Sequence, residues 1–361
     1  MTEMWMNMGP QHPMTHGLWN LRVKVDGEKI TEAQPVIGYL HRGWEKMVEA
    51  RDFQQIIPMA DRLCYGSSMT WSHLYCRTIE ELMDVEVPER AQWIRVIVCE
   101  MQRIASHLMW LAAVGTDLGS YTIFLYCMRE RELFLDQLMN LTGARMTYNY
   151  PRIGGVRNDL PENFERDTLR VLNLFEKRLK TEYEALCDKT VSYRMRMENT
   201  GYLSKADAMN LGVTGPNMRG SGVDFDIRRD DPYEKYDEVD FEVCVEQEGD
   251  SYARYRVRMR EMQESCNIIR QAFKKMRPGP VRVKAPRNAP KKTAFAHVED
   301  PRGEGLMYVV GDGTNQPYRL KVRSPIFVSV SAAPVMLIGE KVADVPAIMG
   351  SIDMCLGETD R

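Results

Sequence analysis

The apolar positions Ile94, Ile97, Val98, Met101, Ile104, Ala105, Leu108, Leu111 and Ala112 recur at helical spacing behind Val87-Pro88-Glu89-Arg90, where a proline occupies the first turn. No strand can bury such a stripe on one side, so the middle of the chain must build a helical core, with Gly115 as the expected interruption. A second helix is predicted from Tyr121 to about Leu141, stopping near Gly143. A third follows the Asn158-Asp159 cap and Pro161, through Phe164, Val171, Leu172, Phe175, Leu179 and Leu186. A fourth runs from Ser251 to Met276 on Tyr255, Met259, Met262, Cys266, Ile269 and Phe273. Long amphipathic helices with short connections imply a bundle.

The ends of the chain read differently. Leu21, Val23 and Val25 alternate with charged residues and turn at Asp26-Gly27, which predicts an N-terminal β-hairpin. Segments Leu306 to Val310 and Tyr318 to Val322 flank the turn Gly311-Asp312-Gly313 and predict a small C-terminal β region. The fold class is therefore α+β and mostly α, one domain over 1–361. It comprises a hairpin and loop over 1–60, a helical core over 61–277, and a β region with a tail over 278–361. The last residues are expected to return to a central cavity.

Composition removes several functions. A net charge of −3, from 48 basic and 51 acidic residues, leaves no basic footprint for nucleic acid. No uncharged apolar stretch is long enough for a bilayer span, and the start Met1-Thr2-Glu3-Met4-Trp5-Met6 does not read as a signal peptide, so a cytoplasmic chain is expected. The 8 cysteines are dispersed without a Cys-x-x-Cys pair, which predicts reduced thiols. There is no dinucleotide fingerprint, flavin motif or cysteine set for a cluster of its own, so electrons must come from a neighbour. The glycine-rich run Thr214 to Gly222 lacks the strand and Gly-Lys-Ser of a phosphate loop.

Chemistry is concentrated in the run Gly-Pro-Gln-His-Pro-Met-Thr-His-Gly at 9–17. Its two prolines forbid a continuous helix, and it points His12 and His16 from a loop. It is joined by His41-Arg42-Gly43-Trp44-Glu45-Lys46, Asp61-Arg62-Leu63-Cys64-Tyr65, Gly115-Thr116-Asp117 and the ending Ser351 to Arg361. With Thr142 to Met146, Ile153-Gly154-Gly155-Val156, Leu211 to Gly215 and Arg219-Gly220-Ser221-Gly222, these segments resemble the D subunit of the complex I family over essentially the whole chain. That family comprises the proton-pumping NADH:quinone oxidoreductases and archaeal relatives that oxidise a reduced deazaflavin.

The family is itself similar to the nickel-iron hydrogenase large subunit, whose metal pair needs four thiolates. Here Ser67 and Glu358 stand where two of them would be, which argues against a nickel-iron centre and against a membrane-bound hydrogenase function. Cys64 and Cys355 are expected to be buried thiols, with no metal held.

The resemblance implies a quinone-reducing cavity. His16 and Tyr65 would contact the two ring oxygens, each donating a proton as the ring gains electrons, and Asp117 would pair with that histidine. Arg42 and Arg62 match basic residues near the cluster and the ring. His12 and His41 are weaker matches at the same site. The implied partners are an iron-sulfur B subunit carrying the terminal [4Fe-4S] cluster, a C subunit, a ferredoxin-like I subunit and a membrane H subunit. The implied substrate is a quinone or phenazine, and the implied place is peripheral, on the cytoplasmic side of the membrane. A non-catalytic scaffold that only docks iron-sulfur subunits is the rival from another class. One departure stands out. Many members carry a histidine after Gly143-Ala144-Arg145-Met146, whose protonation is coupled to cluster reduction, where this chain has Thr147. That coupling is expected to be absent or relocated, and the acceptor to be of low potential, such as a menaquinone or a phenazine.

Overall fold

The computed structural model describes residues 3–11 and 17–361; His12 and His16 lie outside the described residues. The long stripe forms one helix over Glu89–Asp117, flanked by helices Tyr121–Thr142 and Ser251–Lys275. Gly115 does not interrupt the long helix. A Cβ there would meet Ile123 at 2.7 Å, so the glycine lets the next helix approach closely instead. Gly143 caps the second helix at φ 75°, in the left-handed region that glycine enters freely. Asp250 caps the fourth by accepting from the Ala253 amide. The third begins at Phe164, after the Asn163 cap rather than at Asn158, and from Leu179 to Asp188 it continues as a π-helix.

One long helix and several short ones escaped the sequence reading. Ser68–Met83 carries Trp71, Leu74, Tyr75, Ile79 and Leu82 at helical spacing, and the fold buries its polar residues Ser72, His73, Thr78 and Glu80 as well.

The predicted N-terminal hairpin is a three-stranded antiparallel sheet, β1 (Met4–Gln11), β2 (Trp19–Asp26) and β3 (Lys29–Val36), in that order. Strand β1 pairs with β2 up to Gln11 opposite Trp19, so the two-histidine run is the connection between them. The sheet does not pack mainly on the helical bundle. Trp19, Leu21, Val23 and Val25 share a separate core with Ile326, Val330, Met336, Leu337, Ile348 and Leu356 from the other end of the chain.

Short strands β4 (Pro151–Arg152) and β5 (Gly155–Val156) form a ribbon in the middle of the chain. The C-terminal region holds β6 (Thr293–Asp300), β7 (Gly303–Gly311) and β8 (Pro317–Arg323), an antiparallel sheet with one strand more than expected. Four helices follow, including Val345–Ile352 and Leu356–Asp360, so the tail is helical rather than extended. Among the described residues, no helix is long and apolar enough to cross a membrane.

Candidate functional site

Two segments far apart in sequence meet beneath the N-terminal sheet. The first descends from helix Phe53–Ala60 and makes a 3-10 turn over Tyr65–Ser67 before the buried Ser68–Met83 helix. The second runs from Asp353, at φ 62°, into helix Leu356–Asp360. Cys64, Cys355 and Glu358 converge there, with ligand atoms all within 4.8 Å of one another and all three side chains buried.

Hydrogen bonds fix this floor. Glu358 accepts from Trp71 Nε1 at 3.1 Å and from Ser324 Oγ at 2.9 Å, one bond to each carboxylate oxygen. Burial, reinforced by Cys64 and Asp300 nearby, pushes its carboxyl well above the usual range. Burial likewise pushes the Cys64 thiol up, helped by its hydrogen bond with Cys355. Arg302, fully buried in the turn between β6 and β7, donates to the Asp353 carbonyl and carboxylate at 3.1 Å each and to Ser106 Oγ at 3.2 Å. Gly66 presses on that guanidinium, where a Cβ would lie 3.1 Å from Nη2.

Tyr65 is the group of this cluster that reaches the surface, with 39% of its area exposed. Its phenol is raised above the ordinary value by burial first, and then by the nearby Cys355 and Cys64. It therefore keeps its proton at neutral pH and can act only as a donor or neutral acceptor.

The other expected residues divide. Arg42 donates to the carbonyls of Arg62 at 2.9 Å and Gly357 at 3.0 Å, clipping together the chain on either side of Cys64 and Glu358. Arg62 donates to the Pro58 carbonyl at 2.7 Å, back onto the helix that precedes it. His41 donates through Nδ1 to the Asp360 carbonyl at 2.7 Å and lines a pocket of about 320 Å³ with Asp360 and Arg361. The Asp360 carboxylate in turn accepts from the Gly38 and Leu40 amides at 2.9 and 2.8 Å. These contacts make Arg42 and His41 struts of the site.

Asp117 ends the long helix. Burial alone raises its carboxyl to about 7, and its Oδ2 has no hydrogen-bond partner among the described residues. The two-histidine loop is fixed at its described end. Gly17, at φ 122°, lies so close to Leu356 and Leu40 that a Cβ would fall 2.9 and 2.4 Å from their side chains, which seats it against the start of the C-terminal helix. The larger 790 Å³ cavity, lined by Glu80, Glu81, Asp84, Tyr233, Glu234 and Asp237 among others, shares no residue with this cluster.

Sequence reasoning missed Arg302, Asp300, Trp71 and Ser324, which belong to segments carrying no motif of their own. Asp353 was at least inside the closing run that signalled the site. The glycine-rich Thr214 to Gly222 run has a packing role. Gly215 abuts Gly303, and Arg219 pairs internally with Glu261 at 2.7 Å and Glu299 at 2.8 Å.

The profile of the family described as "Respiratory-chain NADH dehydrogenase, 49 Kd subunit" matches residues 117–294 and 287–361. The chain belongs to this family. The D subunit of the NADH-quinone oxidoreductase of Geobacillus kaustophilus is 45% identical over 99% of this chain and 98% of its own length. That of Geobacter metallireducens is 42% identical with the same coverage. Among solved structures, a chain of the membrane-bound sulfane sulfur reductase, an archaeal respiratory membrane complex, superimposes with a TM-score of 0.95 at 36% identity, over 99% of this chain and 98% of that one. The mostly helical architecture with a sheet at each end is thus that of the 49 kDa subunit family. The donors at the floor of the site, two thiols, a serine at 67 and a carboxyl at 358, do not fit a nickel-iron pair, which needs four thiolates.

Proposed function

We propose that this chain is the acceptor-reducing subunit of a membrane-attached, ion-translocating complex of the complex I type, and that it protonates a lipid-soluble quinone or phenazine beside Tyr65. The observation that carries this reading is the placement of Tyr65. A phenol held neutral stands 39% exposed beside the buried Cys64–Cys355–Glu358 cluster, while Leu356, next in sequence to Cys355, packs on Gly17 at the described end of the two-histidine loop. An acceptor ring taking up electrons becomes basic, and a positioned phenol supplies a proton at one ring oxygen. His16 would supply the other, with Asp117 stabilising its charged form. His12, His41, Arg42 and Arg62 would shape the entrance.

The electrons would come from a [4Fe-4S] cluster in a B subunit, with C, I and H subunits completing the contacts at the cytoplasmic face of the membrane. Thr147 offers no group that titrates near neutral pH, which fits an acceptor of low potential. The close superposition on a chain of a sulfane sulfur reductase favours a second reading, in which the acceptor is sulfane sulfur rather than a ring. The two readings share the electron path and differ in the substrate reduced.

The test is Tyr65→Phe in the assembled complex. Quinone or phenazine turnover should fall by about 100-fold, in keeping with loss of a general acid, while reduction of the partner's cluster is unchanged. Full turnover would leave the chain a docking scaffold. Loss of polysulfide reduction without any quinone activity in the parent complex would favour the second reading.

A further inference from the structure

We propose that the Cys64–Cys355–Glu358 cluster binds a single thiophilic divalent cation of the zinc class, held by two thiolates and one carboxylate. The three side chains come from opposite ends of the sequence and are all buried, with their ligand atoms within 4.8 Å of one another. A tetrahedral zinc ion with bonds of about 2.3 Å to sulfur sets its ligand atoms about 3.8 Å apart. The cluster therefore needs to contract by no more than about 1 Å.

The surroundings have the form of a metal site's outer shell. Trp71 and Ser324 each hold one oxygen of Glu358, which fixes the carboxylate plane and leaves each oxygen a further lone pair. Burial in the absence of a cation holds the Cys64 thiol and the Glu358 carboxyl toward their protonated forms. A divalent cation would displace those protons and neutralise two of the three charges. Arg302, which already eases ionisation at Cys64, moderates the third. The ion would pin the 3-10 turn bearing Tyr65 to the C-terminal helix.

The inference stands apart from the identity of the electron acceptor, and its test measures no turnover. The full-length chain, purified under reducing conditions and freed of metal with a chelator, is titrated with Co2+. One equivalent should bind with a thiolate-to-cobalt charge-transfer band in the near ultraviolet, and Zn2+ should displace it. Cys64→Ser and Cys355→Ser should each abolish that band. Glu358→Gln, which preserves side-chain shape and fold, should weaken binding by about tenfold or more, the scale of loss that even outer-shell changes produce. Absence of the band in the parent chain would overturn the proposal. So would a band of full strength in both cysteine variants, since the other six cysteines would then be its source.

Discussion

Asp117 shows how much of this protein's chemistry depends on where single side chains stop being solvated. Its carboxyl is raised to about 7 by burial alone. The folded state therefore binds a proton more tightly than the unfolded chain, whose aspartate titrates near 3.9. The linked stability is fully present below that value and is lost as pH rises through about 7. Asp117→Asn should thus leave the melting temperature nearly unchanged at pH 4 and raise it relative to the parent at pH 8, with the gap opening between those values. A gap that opened below pH 4 instead would mean that the carboxylate is ionised against a cationic partner in the native state, as its proposed pairing with a charged His16 requires. Tyr65 follows the same physics, since burial keeps its proton in place at neutral pH until the basic, reduced ring takes it up.

At the scale of elements, helices and ribbon are locked by buried ion pairs as well as by apolar packing. Arg95, fully buried on the long helix, forms paired hydrogen bonds with Glu80 of the Ser68–Met83 helix at 2.9 and 2.6 Å and donates to the Gly155 carbonyl in β5. Glu80 also accepts from the Gly154 amide at 2.7 Å. Removing Glu80 leaves Arg95 with Glu234, at 2.9 Å, as its remaining carboxylate and leaves the Gly154 amide without its acceptor. Glu80→Ala should therefore cost about 1–3 kcal/mol of unfolding free energy by denaturant titration, whereas Glu80→Gln, which can still accept, should cost less. Equal losses would mean that the packing of the side chain, and not its charge, holds the helices. The two glycines of Ile153-Gly154-Gly155-Val156 belong to the same junction. A Cβ on Gly155 would meet the Val281 carbonyl oxygen at 2.2 Å, so the motif marks a close backbone approach.

At the scale of the whole molecule, the two ends of the chain close over the site together. The Asp360 carboxylate holds the Gly38 and Leu40 amides, Arg42 reaches Gly357, and β2 shares its core with the C-terminal helices. Asp360→Ala should let the Gly38 and Leu40 amides exchange at least about tenfold faster, the equivalent of roughly 1.4 kcal/mol, while amides of the Ser251–Lys275 helix keep their protection. Uniform loss of protection would show instead that the closure supports global stability and not this corner alone.

Local periodicity was enough to place the long helix, its two flanking helices, strand β2 and the C-terminal hairpin, because a half-buried element writes its orientation into the spacing of its apolar residues. The motifs likewise announced Tyr65, Cys64 and the Cys355 to Arg361 ending as parts of one site. The sequence was silent where burial is complete or partners are distant. The polar residues Ser72, His73, Thr78 and Glu80 of Ser68–Met83 are buried with its apolar ones, which nothing in the local pattern foretells, and Arg302 reads as one charged residue among many until the fold brings Asp353 within 3.1 Å of it. Gly115 read as a break because a glycine's local preference says nothing of Ile123 pressing against it. Short-range patterns are set by neighbours along the chain. The meeting of Cys64 with Cys355, and the buried floor they form with Glu358, depend on contacts across nearly 300 residues that only the folded core selects.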